Sequence, residues 1–144
     1  MIRVVTFGTF DLLHIGHVNV LRRAKELGDH LTVGVSSDEL NFRKKQVHPT
    51  YTTEQRLAIV AAVRYVDAVF VEHSLEEKRA YLLEHAADVL VMGDDWAGKF
   101  DEFSDICRVV YLPRTTGISS TDVKLRIRGG RTRPSGRQVA VTRR

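Results

Sequence analysis

The sequence Phe7-Gly8-Thr9-Phe10-Asp11-Leu12-Leu13-His14-Ile15-Gly16-His17 separates an apolar run from a segment with helical periodicity. Residues 2–7 predict a buried strand, and residues 17–27 predict a helix that ends at Gly28. The start of such a helix presents unpaired backbone N–H groups and the positive end of the helix dipole, both of which attract phosphate. Two histidines beside it would supply further hydrogen-bond donors. This loop therefore predicts a phosphate-binding centre.

The rest of the chain repeats the alternation of strand and helix. We expect further strands over residues 31–35, 67–71, 89–92 and 108–112. Further helices should begin at the caps Thr52, Ser74 and Ser119 or Ser120, with a short helix over residues 99–105. Residues 41–51 are polar and aperiodic and predict a flexible loop. Together the pattern predicts an α/β fold, a single doubly wound, Rossmann-like domain with a five-stranded parallel sheet over residues 1–129.

The charge of the chain is concentrated near one end. Its net charge is +4, but residues 126–144 contain seven arginines and no acidic residue, so residues 1–125 carry −3. An acidic body argues against a nucleic-acid-binding core. Residues 130–144 are rich in Arg, Gly, Ser and Thr, and we expect a disordered tail that could contact nucleic acid or an anionic surface.

The sequence also indicates a compartment. It contains one cysteine, Cys107, which allows no internal disulfide and favours the reducing cytoplasm. We expect neither a signal peptide nor a transmembrane segment, because the chain enters a strand directly and has no apolar run of membrane-spanning length.

A second phosphate site is predicted near residue 114. Arg114 precedes Gly117-Ile118-Ser119-Ser120-Thr121, which again places a short loop and a hydroxyl-rich helix start after a strand. The guanidinium group of arginine suits phosphate oxygens. Neither motif contains the Gly-Lys-Ser/Thr of a Walker loop or the GxGxxG of a dinucleotide-binding fold.

Together, the two motifs resemble the signatures of the cytidylyltransferase-type nucleotidyltransferases, which carry the HxGH motif. Two further stretches, Val91-Met92-Gly93-Asp94-Asp95-Trp96 and Tyr111-Leu112-Pro113-Arg114-Thr115, are similar to the glycerol-3-phosphate cytidylyltransferase branch, and the similarity runs from residue 3 to residue 128. The resemblance implies transfer of CMP from CTP to a small polyol phosphate, foremost glycerol 3-phosphate, with release of pyrophosphate and formation of CDP-glycerol. It also implies a homodimer with residues near the first motif at the interface.

The resemblance also implies roles for individual residues. Catalytic roles fall to His14, His17, Lys44 and Arg114. CTP binding falls to Thr9, Phe10, Asp11, His14, Gly16, His17, Lys45, Arg64, Gly93, Asp94, Trp96, Arg114, Thr115, Gly117, Ile118, Ser119, Ser120 and Thr121. Acceptor binding falls to Lys44, Arg56, Lys78 and Asp38. Mg²⁺ would be held mainly by the CTP phosphates, with Asp11 as the candidate protein ligand.

Two alternatives stay open at this point. The acceptor could be ethanolamine phosphate, another polyol phosphate or a hydroxyalkylphosphonate. Alternatively, the chain could be a non-catalytic nucleotide sensor with a polyanion-binding tail. The loop that carries Lys44 has Lys45-Gln46 where the family places its second lysine, so the residue that replaces this lysine is also open.

Overall fold

Strands and helices alternate along residues 1–129, the part of the chain that this computed structural model describes. The strands are β1 (Arg3–Gly8), β2 (His30–Ser36), β3 (Ala68–Glu72), β4 (Val89–Gly93) and β5 (Arg108–Leu112). The helices are α1 (Ile15–Lys25), α2 (Asp38–Lys45), α3 (Thr53–Ala61), α4 (Lys78–Glu84) and α5 (Ser120–Gly129), with short 3₁₀ turns at Asp94–Trp96 and Asp101–Asp105. The predicted tail, residues 130–144, lies outside the described residues.

All five strands are parallel, in the order β3-β2-β1-β4-β5. The chain therefore builds outward from β1 on one side and then crosses to β4 on the other. In open sheets of this kind, ligands bind at the carboxyl ends of the strands where the order reverses, here between β1 and β4. The predicted doubly wound α/β fold with a five-stranded parallel sheet is confirmed.

The two faces of the sheet bury separate apolar cores, and β1 contributes alternately to both. Val4 packs with Leu21 of α1 and Val60 of α3 on one face. Val5 packs with Leu82 of α4 on the other. Because every one of these side chains is at most 1% exposed, the central strand and its flanking helices form a rigid support for the loop that follows Gly8.

Gly34 allows two aromatic rings to approach each other closely within the sheet. It lies in β2 beside Phe7 of β1, and the rings of Phe7 and Phe70 meet edge to face there, with centroids 5.7 Å apart. A Cβ atom at Gly34 would lie 2.7 Å from Phe7 Cδ1 and 2.7 Å from Phe70 Cζ, well inside van der Waals contact. Only glycine fits between the two rings without displacing them.

Two local predictions differ from the structure. The predicted loop over residues 41–51 begins as helix, because α2 extends to Lys45. Its cap is Ser37, whose Oγ accepts the N–H of Leu40 at 3.1 Å, and acidic residues in its first turn and basic residues in its last turn complement the helix dipole. The charged residues of this segment therefore lie at the two ends of a helix that buries Leu40 and Asn41.

The predicted cap at Ser74 does not form. The Ser74 hydroxyl donates to the carboxylate of Glu76 at 2.6 Å, and α4 begins only at Lys78, without a side-chain cap. By contrast, the Thr52 cap is confirmed, since Thr52 and Gln55 form a reciprocal capping box at the start of α3. Among residues 1–129, none of the helices combines the length and apolar character needed to cross a bilayer.

Substitution of Gly34 by alanine should destabilise the protein. The added methyl group overpacks the contact between Phe7 and Phe70, and overpacking of a well-packed core costs about 1–3 kcal/mol. Urea unfolding followed by circular dichroism measures the effect. The double variant Gly34→Ala/Phe70→Leu should recover part of the loss, because the smaller side chain vacates space; an unchanged unfolding midpoint in the single variant would contradict the close approach.

Candidate active site

The two histidines of the first motif are held by the backbone at one end of α1. His14 is the N-cap of this helix, and its Nδ1 accepts the N–H of Gly16 at 3.0 Å. The N–H of His14 in turn donates to Nδ1 of His17 at 3.1 Å, and the two rings stack with centroids 3.9 Å apart. Since both Nδ1 atoms act as acceptors, each neutral ring carries its proton on Nε2. The pair therefore offers two Nε2–H donors.

The surroundings keep both histidines uncharged at neutral pH. Burial, with a smaller contribution from the neighbouring His14, lowers the pKa of His17 to about 4, although Asp11 opposes the shift. Burial also lowers the pKa of His14. The two imidazoles are thus neutral hydrogen-bond donors rather than cations.

The second motif lies directly against the first. A cavity of about 320 Å³, here called the histidine cavity, is lined by both motifs: His14, Gly16, His17, Arg114, Thr115, Ile118, Ser119, Ser120 and Thr121, with Val20, Lys45, Gly93 and Asp95. Ser119 caps α5 by accepting the N–H of Asp122 at 3.0 Å, and Ser120 donates to the carbonyl of Asp11 at 2.8 Å. Two helix starts and a guanidinium group therefore face one space, which is an arrangement that binds several phosphates.

Two larger cavities open from the same place. The central cavity, about 470 Å³, lies at the carboxyl ends of β1 and β4 and includes Thr9, Phe10, Asp11, Gly93 and Trp96 among its lining residues. The lysine cavity, about 490 Å³, is lined by Lys44, Lys45, Lys78, Glu72 and Ser36 together with apolar walls. Lys45 and Asp95 line all three cavities. The three cavities thus form one cleft whose parts meet at this pair of charges.

Of the two adjacent aspartates after β4, Asp95 lines the cleft and Asp94, the predicted CTP-binding residue, does not. Asp94 is exposed at the start of a 3₁₀ turn, where its carbonyl accepts the N–H of Ala97 at 3.0 Å, and it lines none of the three cavities. The two aspartates are adjacent in the sequence, so only the geometry of the turn after β4 distinguishes them.

Asp11 holds the backbone of the loop before α3. Its carboxylate, 5% exposed, accepts the N–H groups of Thr50 at 2.7 Å and Tyr51 at 3.0 Å, and Lys124 lies 3.5 Å away. Burial acts to raise its pKa, but these N–H groups and Lys124 outweigh burial and hold the pKa below its usual value. Both oxygens of the predicted metal ligand are therefore already engaged by the protein.

Arg56 is a structural residue rather than a ligand-binding one. It is completely buried and lines none of the three cavities. Its N–H groups donate to Tyr51 O (3.0 Å), Thr9 O (2.9 Å), Ser36 O (2.7 Å) and Asp38 Oδ1 (2.8 Å), with a longer contact of 3.5 Å to Thr53 Oγ1. No donor is left for an acceptor molecule, and Asp38 is committed to the same network. In this geometry Arg56 has no donor left for the acceptor binding predicted for it, whereas acceptor binding by Asp38, whose side chain is partly exposed, stays a prediction.

Arg64 and Gly117 lie outside the three cavities. Arg64 is exposed beyond the end of α3, and its guanidinium carbon lies 5.7 Å from the Tyr65 ring. Gly117 turns the loop before α5 with a φ of +83°, which favours glycine. It helps to line a neighbouring surface depression with Arg114 and Thr115.

Comparison with known proteins matches this geometry to a family. Residues 5–126 match the family described as Cytidylyltransferase-like. The chain belongs to this family. It is 52% identical over 130 residues to the glycerol-3-phosphate cytidylyltransferase of Bacillus subtilis, covering 90% of this chain and 99% of that protein. It is 46% identical over 129 residues to the protein of the same description from Staphylococcus aureus, covering 90% and 97% respectively.

A solved structure shares the fold. The crystal structure of the lipopolysaccharide core biosynthesis protein from Thermoplasma volcanium GSS1 superposes with a TM-score of 0.68 at 29% identity, and covers 80% of this chain and 97% of that one. The chain is therefore an enzyme of the cytidylyltransferase-like, nucleotidyltransferase class, as the motif resemblance implies.

Several residues that line the cleft of this cytidylyltransferase-like domain have no signal in the motifs. Glu72 ends β3, and Asn41 belongs to α2, where it bonds Thr9 and the backbone of Ser36 and Ser37. Lys124 comes from α5. Glu72 and Lys124 could have been predicted from the sequence. A charged residue at the carboxyl end of a parallel strand, or on the first turns of a helix that borders the cleft, lies on the side where ligands bind.

The buried, neutral state of His17 should appear in the pH dependence of stability. Because its folded pKa of about 4 lies below the ordinary value of 6.5, the unfolded chain binds this proton more readily, and stability falls as the pH decreases from 6.5 toward 4. Between pH 8 and pH 5, we expect His17 to account for about 2 kcal/mol of lost unfolding free energy.

Urea unfolding of the wild type and of His17→Asn across this range measures that share. Asparagine can still accept the N–H of His14, so the variant should flatten the pH dependence by most of this amount. His73→Asn serves as the control, since His73 is exposed and lines none of the three cavities. Parallel wild-type and His17→Asn curves would show that His17 is not buried uncharged.

Proposed function

We propose that this chain transfers CMP from CTP to glycerol 3-phosphate, which yields CDP-glycerol and pyrophosphate. The observation that carries this proposal is the single cleft in which two phosphate-binding helix starts adjoin a cavity with three lysines. One part suits a triphosphate and the other suits a small phosphorylated acceptor. Identity of 46–52% to glycerol-3-phosphate cytidylyltransferases, over nearly their full length, supports this acceptor.

The reaction needs position and charge stabilisation more than proton transfer. An oxygen of the acceptor phosphate attacks the α-phosphorus of CTP in line, the bond from this phosphorus to the bridging oxygen of the β-phosphate breaks, and that electron pair leaves with pyrophosphate. The attacking oxygen is already anionic at neutral pH and requires no base. Negative charge grows on the equatorial and leaving oxygens, and the Nε2–H groups of His14 and His17 are fixed donors that can stabilise it.

Different cationic residues would bind the two anionic substrates. Arg114 and the start of α5, with Ser119, Ser120 and Thr121, would hold the β- and γ-phosphates in the histidine cavity. Lys44 lies in the lysine cavity and would contact the acceptor phosphate. Lys45 lines every part of the cleft, so we assign to it the position between the two substrates.

We also propose that Mg²⁺ accompanies the triphosphate. Among residues 1–129 no three or more His, Cys, Asp or Glu side chains are grouped as a metal site, and the oxygens of Asp11 already accept backbone N–H groups. Asp95 is the carboxylate that faces the junction of the cavities and fits a supporting role. Such an ion would neutralise phosphate charge, and chelation with EDTA should therefore abolish turnover.

Two further properties are proposed from the resemblance. We propose a homodimer with residues near the first motif at the interface; Ile15, at the start of α1, is 55% exposed and would be covered there. Sedimentation equilibrium at micromolar concentration tests this, and a monomer would exclude it. We also propose a cytoplasmic location, in line with the single, buried Cys107; cell fractionation tests it.

The proposed reaction is tested by pyrophosphate release. The protein is incubated with Mg²⁺, each nucleoside triphosphate in turn, and a panel of phosphate and phosphonate acceptors. We expect release with CTP and glycerol 3-phosphate above all other pairs. CTP binding without release from any pair would indicate the nucleotide sensor instead.

The variant His14→Asn distinguishes the two functions of His14, the helix cap and the Nε2–H hydrogen-bond donor. Asparagine is a good N-cap and can still accept the N–H of Gly16, but it lacks the Nε2–H group. Loss of one such donor should lower kcat by about 100- to 1,000-fold, while the circular dichroism spectrum stays the same. A variant with near wild-type kcat would remove His14 from the mechanism.

A further inference from the structure

The loop between β5 and α5, residues 113–118 and here called the second-motif loop, is held in place by side chains of α1. Asn19 Nδ2 donates to Thr115 Oγ1 at 3.1 Å, and Arg23 Nη1 donates to the carbonyl of Pro113 at 3.1 Å. In the part of the chain that the structure describes, both hydrogen bonds that join this loop to another element come from α1. The proposed reaction assigns no role to either of these side chains of α1.

The contacts of the second-motif loop follow one face of α1. Asn19 and Arg23 are four residues apart, so they are neighbours on the surface of the helix. Gly16, three residues before Asn19, faces Ile118, because a Cβ atom at Gly16 would lie 3.4 Å from Ile118 Cγ2. The loop therefore runs along the helix in the opposite direction, with its last residue beside the helix start.

The helix that holds the second-motif loop also carries the two histidines. His14 and His17 lie at the start of α1, and Leu21 and Ala24 of the same helix are 0% exposed in the core. A helix that is fixed to a well-packed core has little freedom to shift. One rigid element thus sets the position of the loop that contains Arg114 relative to the histidine donors.

The hydrogen bond from Asn19 also determines what the Thr115 hydroxyl can do. Thr115 lines the histidine cavity. Its Oγ1 accepts the amide N–H of Asn19, so its own O–H proton is not used in that bond and can donate to a phosphate oxygen. Without Asn19, this hydroxyl and its loop would have to be ordered when the triphosphate binds, and that ordering lowers affinity.

We infer that Asn19 and Arg23 are positioning residues for the triphosphate, because they hold the second-motif loop beside the histidines before CTP binds. This inference deepens the proposed function and rests on it. Neither side chain lines the three cavities, so both act through the loop. The loop lines no part of the lysine cavity, so its position affects CTP and not the acceptor.

Asn19→Ala should weaken the binding of CTP. The variant removes one hydrogen bond to the loop, while alanine favours the helix more than asparagine does. We expect Kd and KM for CTP to rise about three- to tenfold, the range for the loss of one hydrogen bond. The KM for glycerol 3-phosphate should stay within about twofold of wild type. Isothermal titration calorimetry measures Kd, pyrophosphate release measures both KM values, and circular dichroism should show an unchanged fold.

Arg23→Met should weaken CTP binding by a similar factor, and Arg22→Met is its matched control. Both variants remove one positive charge from α1, but Arg22 is exposed and lines none of the three cavities. Since CTP is anionic, the control measures how much affinity depends on charge alone. We expect its Kd to stay within about twofold of wild type. Equal losses in the two variants would reduce the effect of Arg23 to net charge and overturn its positioning role.

A double-mutant cycle tests whether Asn19 acts through Thr115. Thr115→Val keeps the size of the side chain and removes the hydroxyl group. Adding Asn19→Ala to this variant should change Kd for CTP by less than about twofold, since the hydrogen bond is already absent. If the two effects instead multiply in full, Asn19 acts elsewhere and the inference is overturned.

The outcomes separate this inference from the proposed function. If wild-type protein binds CTP but releases no pyrophosphate with any acceptor, the proposed function fails, and calorimetry still decides on the positioning role. If Kd for CTP in both Asn19→Ala and Arg23→Met stays within about twofold of wild type, the positioning role is overturned. A parallel rise of the KM values for both substrates would also overturn it, because it would indicate a general loss of structure.

Discussion

The buried guanidinium group of Arg56 is the interaction on which the cleft depends. Its donors reach the carbonyls of Thr9, Ser36 and Tyr51 and the carboxylate of Asp38, so one side chain joins the loop after β1, the end of β2 and the two helices that follow. A buried cation is costly unless all its donors are satisfied, and here they are. Loss of this group would remove a hydrogen bond from each of three carbonyls and from the Asp38 carboxylate. The position of the cleft is therefore set by a buried side chain whose donors all bond within the protein.

Asp11 acts as the counterpart of Arg56 on the same two segments. Its carboxylate accepts backbone N–H groups from the loop before α3, while its carbonyl accepts the hydroxyl of Ser120 from α5. Hydrogen bonds thus join the loop after β1 to the loop before α3 and to the start of α5. Because the two motifs are more than 100 residues apart in the chain, these ties bring the helix starts together in one cavity. A buried aspartate beside phosphate sites is easily taken for a metal ligand. The hydrogen bonds of Asp11 show that it stabilises the fold.

The sequence predicts most of the fold and only part of the cleft, for physical reasons. Strands and the main helices follow from periodicity and caps, and the motifs fix which loops bind phosphate. The sequence does not predict the helix over residues 38–45, because it is short, mostly charged and has no continuous apolar stripe. The resemblance implies acceptor binding by Arg56 and Lys78, but the sequence does not reveal that partners 47 residues away or at the end of another strand bury them. Asp94 and Asp95 are neighbours of identical type, and only the turn after β4 decides which one faces the cleft.

The distribution of charge in the cleft suits a reaction between two anions. Two anionic substrates must approach each other, so cations are needed, but a strong cation at the reacting phosphorus would bind the ground state as tightly as the transition state. Arg114, Lys44 and Lys45 line the cleft, and the neutral imidazoles of His14 and His17 lie at the start of α1. Lys78 is balanced by Glu72 and adds no net charge. The backbone bonds to Nδ1 of His14 and His17 fix the direction of the remaining N–H groups. Stabilisation by such fixed, uncharged donors grows with the charge on the leaving oxygen, which makes their contribution greatest where the barrier is highest.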